Sequence, residues 1–107
     1  MAIVTAEEML RGWLAVIRRA ESVEALGRGY AKLGRTLTFL QGIQILEFNL
    51  TAQRIYAELK SIKPRIGTQD LRIAAIALAT DVILVTRDRK DFGQVPQLRL
   101  EDWTRRQ

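Results

Sequence analysis

The chain alternates between stretches whose apolar residues recur every three or four positions and short runs that are apolar throughout. "TAEEMLRGWLAVIRRAE" is of the first kind. Met9, Trp13, Val16 and Ala20 fall on one side of a helix, and Leu10, Leu14 and Ile17 widen the stripe. Thr5 and Glu8 stand as T-x-x-E, a capping-box pattern at its start. Arg18 and Arg19 suit the negative end of its dipole. "SVEALGRGYAKLGRTLTFLQG" predicts a second helix. Its seam is Val23, Leu26, Tyr30, Leu33, Leu37 and Leu40, with Arg28, Lys32 and Arg35 as a basic strip off the seam. Gly27, Gly29 and Gly34 each weaken such a helix by about 1 kcal/mol relative to Ala, or let a neighbour approach closely. Together the two helices read as a hairpin.

"IQILEF", Ile43 to Phe48, predicts a strand, and "LTAQRIYAELKSI" a third helix with Leu50, Ile55, Leu59 and Ile62 turned inward. Pro64 and Gly67 bound a loop. Thr68 is placed to cap a helix from Gln69 to about Thr80. That helix is apolar on nearly every side, which predicts deep burial. "VILVT", Val82 to Thr86, has no polar alternation, the pattern of a central parallel strand covered on both faces. A short strand around "LRL" leads into "EDW". Helices alternating with strands predict an α/β fold with three layers and a parallel sheet. No repeat or linker divides the chain, so residues 1–107 read as a single domain.

Composition narrows the chemistry. With no Cys and no His, disulfides, Cys/His zinc sites and histidine triads are excluded. A metal here is a hard one held by carboxylates. The net charge of +5 makes a polyanion such as nucleic acid the leading partner class. No apolar run is long enough to span a bilayer, and acids stand where a signal peptide is basic. The sequence therefore predicts a cytoplasmic protein without membrane contact.

The acids have plain readings. Glu8 belongs to the capping box, Asp70 to the first turn of a helix, and Asp88 to a turn or N-cap after a strand, with Asp91 as the matching first-turn acid. They also have a joint reading. If the strand runs back along the helix that precedes it, Asp70 and Asp88 meet at the rim where ligands bind in parallel sheets. Carboxylates gathered at one point repel each other unless a cation neutralises them. Magnesium or manganese does so, binds phosphate oxygens and activates water.

"IGTQDLRIAAIALATDVILVTRDRKDFGQVPQLRLEDW" resembles the C-terminal half of PIN domains, in particular the VapC toxins of bacterial toxin–antitoxin systems. The family pattern is IG-x-x-D-L-x-IAA-x-A, then LVT-x-(N/D)-x-x-(D/E)-F, then VPGL-x-x-EDW. This chain matches it at Ile66, Gly67, Asp70, Leu71, Ile73 to Ala75, Ala77, Leu84 to Thr86, Asp88, Asp91, Phe92, Val95, Pro96, Leu98 and Glu101 to Trp103. Upstream, "IVTAEEMLRG" is similar to the family's T-x-x-E-L-x-x-G. "IQILEFNLTAQRIYAEL" resembles its strand followed by D-x-x-A-x-x-Y, with Asn49 where Asp is commoner.

The resemblance implies a Mg²⁺- or Mn²⁺-dependent endoribonuclease. Glu8, Asp70 and Asp88 would hold the metal, Asp91 would assist catalysis, and Thr5 and Thr86 would support the cluster. Arg72, Arg87, Arg89 and Lys90 are the candidate RNA contacts. It also implies a VapB-like antitoxin partner and a homodimer. PIN domains open with a central strand ending in Asp-Thr-Asn or Asp-Ser-Asn, and no such segment occurs in these 107 residues. The expected fold is thus PIN-like but incomplete at the N-terminus, lacking on the order of 40 residues by the usual size of a βα unit. The implied activity is weak or absent as the chain stands. The alternative is a non-catalytic PIN remnant that binds nucleic acid or protein.

Overall fold

A computed structural model describes residues 1–63 and 65–102, in two units. The first comprises Met1 and residues 3–45 and is a helical hairpin of α1 (Ile3–Arg19) and α2 (Val23–Gln41). The Ser22 hydroxyl starts α2 by accepting from the Ala25 amide at 3.0 Å. Gly42 ends it, its N–H donating to the carbonyls of Phe39 and Leu40.

Two expectations for the hairpin fail. Helix α1 begins at Ile3, so Thr5 lies inside the first turn and does not cap it. The seam is also rotated. Val23 (81% exposed), Tyr30 and Leu37 stand out in solvent, whereas Gly29 and Thr36 are buried. The cause is steric. A Cβ on Gly29 would lie 2.9 Å from Ile17 Cγ1, so α1 sits directly against the bare backbone of α2. Leu33 and Leu40, common to both possible stripes, are half-buried. Ala25, Gly29 and Thr36 replace the bulkier seam residues between them.

The second unit comprises Ala2 and residues 46 onward. It holds α3 (Leu50–Ile62), α4 (Thr68–Thr80), β1 (Leu84–Val85), α5 (Arg89–Phe92) and β2 (Leu100–Glu101). The Asn49 side chain caps α3, accepting from the Ala52 amide at 3.0 Å. Helix α4 is as buried as its composition predicts: Leu71, Ala74, Ala75, Ile76 and Ala77 are all inside. With Leu59, Ile66, Phe92 and Val95, the first three of these form the core. Gly67, and not Thr68, occupies the N-cap of α4, with no side-chain cap bond. Leu50 and Ile62 of α3 are exposed, leaving Ala52 and Leu59 as its buried face.

The strands β1 and β2 pair in parallel, Leu84 opposite Leu100 and Val85 opposite Glu101. The amides of Leu84 and Thr86 each donate to β2 carbonyls at 2.9 Å. This is the parallel sheet of the expected α/β class, with two strands among the described residues. The strand predicted over Ile43–Phe48 shrinks to one parallel bridge between Leu46 and Ala2. The "VILVT" run is not covered on both faces, since Val82, Ile83 and Val85 are 37–43% exposed. Among the described residues β1 has a partner on one edge only, so the apolar run has no second strand to pack beside. The "EDW" tryptophan and Pro64 lie outside the described residues.

Among the described residues, two outside glycine take positive φ. Asp81 (54°) ends α4, and Arg99 donates to its carbonyl and carboxylate at 2.8 and 2.9 Å. Gln97 (65°) stands where the PIN pattern has Gly. The left-handed conformation costs an ordinary residue about 1–2 kcal/mol.

Two stability measurements follow, both by denaturant unfolding. Gly29→Ala destabilises by about 1–3 kcal/mol through the clash with Ile17, whereas Gly34→Ala, whose added methyl meets nothing within 4 Å, stabilises by up to about 1 kcal/mol. Gln97→Gly relieves the left-handed strain and stabilises by about 1 kcal/mol.

Candidate metal centre

Asp70 is the third residue of α4, in the turn whose backbone N–H groups lack helical partners and favour negative charge. Asp88 and Asp91 come from the tight segment after β1. The Thr86 hydroxyl, just past the strand, accepts from the Asp88 amide at 3.0 Å. Asp88 in turn caps α5, its Oδ1 accepting from the Asp91 amide at 3.1 Å. Phe92, the last residue of α5, is buried in the core and anchors the segment. Gly93 closes it: a Cβ there would fall 2.3 Å from the Arg89 carbonyl oxygen. Both ends of the turn are therefore fixed, one by the sheet and one by the core.

The result is convergence. One carboxylate oxygen from each of Asp70, Asp88 and Asp91 lies within 4.8 Å of the others, and Asp70 and Asp91 are half-buried. Three like charges this close are costly unless a cation sits among them. The donors are all oxygen, which suits Mg²⁺, Mn²⁺ or Ca²⁺ and not the nitrogen and sulfur preferences of a structural zinc site.

The remaining candidates are placed differently. Thr5 and Glu8 lie on α1 in the first unit, Thr5 half-buried and Glu8 exposed. Arg72 is partly buried. It donates to Gln69 Oε1 at 2.6 Å, and its guanidinium lies 5.8 Å from the Tyr56 ring. Arg87, Arg89 and Lys90 are exposed and flank Asp88 in sequence. Asp91, expected to assist, is a full member of the carboxylate cluster. The steric role of Gly93 went unread in the sequence; the only cue is a glycine directly after "KDF".

Residues 2–98 match the PIN domain family. The chain belongs to that family. Among curated proteins it is similar to Ribonuclease VapC2 of Rickettsia felis, 36% identical over 69 residues that cover 61% of this chain and 52% of the relative. It is also similar to the tRNA(fMet)-specific endonuclease VapC of Salmonella typhimurium, 29% identical over 69 residues with the same shares covered. The chain spans about half the length of the curated relatives it matches.

Among solved structures it resembles a chain of Rickettsia felis VapBC2 bound to a DNA fragment from their promoter. There the TM-score is 0.71 and the identity 27%, over 95% of this chain and 72% of that one. It resembles a chain of VapBC-1 from nontypeable Haemophilus influenzae with a TM-score of 0.78, over 98% of this chain and 74% of that one. At 22% identity that second likeness speaks to the fold alone.

Asp88 separates metal binding from capping. Asn is as good an N-cap as Asp. Asp88→Asn is therefore expected to melt within about 2 °C of the parent without metal, yet to lack the rise in melting temperature that Mn²⁺ is expected to give the parent. Asp88→Ala additionally loses about 1 kcal/mol of stability without metal. Thermal shift with and without Mn²⁺ measures both.

Proposed function

We propose that this chain carries the carboxylate half of the metal site of a VapC-type endoribonuclease, a toxin neutralised by a cognate VapB-like antitoxin. The observation that carries the reading is the Asp70, Asp88 and Asp91 convergence within 4.8 Å in a protein of net charge +5. The ribonuclease names of the curated relatives support the reaction class, and the VapBC complexes support the antitoxin partner.

In this reading Asp70 and Asp88 hold Mg²⁺ or Mn²⁺, with Asp91 beside them; a part for Glu8 rests on the resemblance. A bound Mg²⁺ would polarise a phosphodiester and lower the pKa of a water. The protein's own share is positioning. Thr86 fixes the Asp88 backbone, Asp88 fixes Asp91, and the first turn of α4 fixes Asp70. The exposed Arg87, Arg89 and Lys90 attract the RNA backbone, a contribution that salt screens.

Turnover by these 107 residues is expected to be weak or absent. No Asp-Thr-Asn or Asp-Ser-Asn segment supplies the family's principal acid.

The test is cleavage of structured RNA with Mg²⁺, comparing this chain with a version extended by an Asp-bearing first strand. The extended protein is expected to cleave, and Asp70→Asn within it to lose about 10²-fold or more, the scale of removing a charge-stabilising group. An inert extended protein, together with Asp70→Asn leaving Mn²⁺ binding unchanged, sinks the nuclease reading.

A further inference from the structure

The helical hairpin carries a groove that the metal site does not explain. Met9 and Trp13 of α1 and Lys32, Arg35, Thr36 and Phe39 of α2 line it, around a volume of about 210 Å³. Small-molecule pockets run upward from about 300 Å³, so this one suits a single flat group and not a whole folded ligand. Its lining is of two kinds. Trp13 and Phe39 offer aromatic surface, and Phe39 is 51% exposed. Lys32 and Arg35 offer charge, one helical turn apart. The Lys32 ammonium lies 5.4 Å from the centre of the Trp13 ring. Neither cation forms an ion pair among the described residues. The one buried polar group, the Thr36 hydroxyl, is already satisfied by donating to the Lys32 carbonyl at 2.9 Å.

Exposed aromatic surface beside unpaired cations matches a ligand with a flat face and a negative charge in every unit. We infer that this groove binds a nucleotide of single-stranded RNA, a base against the aromatic pair and a flanking phosphate on Lys32 and Arg35. Single-stranded nucleic acids are held by this combination, with stacking tolerant of base identity. An acidic peptide would satisfy the cations but leave the aromatic surface without a stacking partner. The inference goes beyond the metal-site reading, because every residue in it belongs to the hairpin.

The chain has two tryptophans, so Trp103→Phe leaves Trp13 as the sole reporter. Titrating that protein with a ten-nucleotide oligouridylate at low salt is expected to quench Trp13 fluorescence. Lys32→Gln with Arg35→Gln should weaken binding at least tenfold and make the slope of log K against log salt shallower by about 0.7, the value for the one phosphate they share. Phe39→Ala should weaken it about tenfold, within the range for losing one stacked base. Arg18→Gln with Arg19→Gln removes the same charge from α1 and should change binding less than twofold, and circular dichroism confirms that each variant keeps its helices. Asp70→Asn with Asp88→Asn should bind as the parent does, which separates this site from the metal reading. Absence of quenching overturns the inference. So does an equal loss in the α1 control, or equal quenching by a polyglutamate peptide of matched charge.

Discussion

The convergence of three carboxylates is the constraint that the rest of the second unit serves. Asp70, Asp88 and Asp91 present oxygens within 4.8 Å of one another, and nothing about local helix or turn formation requires that. Each acid has a modest local reason to be where it is: a helix N-terminus for Asp70, a cap for Asp88, a first turn for Asp91. Those reasons are worth about 1 kcal/mol apiece, and none of them selects the meeting of all three. The meeting comes from the return of the chain, in which buried α4 leads into β1 and the turn after β1 ends on buried Phe92. The interior of the unit thus fixes where the three acids meet.

How far the residues announced this depends on which forces fix each element. Helix α4 is legible because "DLRIAAIALAT" has no polar face, so only burial satisfies it. Asp88 and Asp91 are legible as cap and first turn because those roles depend on neighbours within three residues. The seam of α2 is not legible because Leu33 and Leu40 belong to two stripes at once, and a close approach at Gly29 decides between them. Periodicity carries no information about that approach. The exposure of the "VILVT" strand is illegible for a related reason. An apolar run states that a strand prefers to be covered, and it does not supply the neighbours. Leu46 and Ala2 are joined by a single bridge for the same lack of partners.

The family's identity and this chain's structure bear on function at different strengths. Membership in the PIN family accounts for the order of helices and strands. The structure adds the physical support for the cluster: the hydroxyl of Thr86, the cap from Asp88 and the glycine at position 93 that nothing larger can replace. It also shows Arg72 engaged with Gln69 and Tyr56, so Arg87, Arg89 and Lys90 are the more accessible cations beside the acids.

The central claim is that a cation binds where the three carboxylates meet. Paramagnetic Mn²⁺ added to ¹⁵N-labelled protein reports that location directly, because it broadens amide signals by proximity. At a few hundredths of an equivalent, the account predicts selective loss of the amides of Thr68–Leu71 and Thr86–Phe92. The signals at the far end of α4, Ala79–Asp81, should persist, about 15 Å along the helix from Asp70, and added Mg²⁺ should restore those lost. Broadening centred on other acids, or spread evenly over the exposed carboxylates, would contradict it.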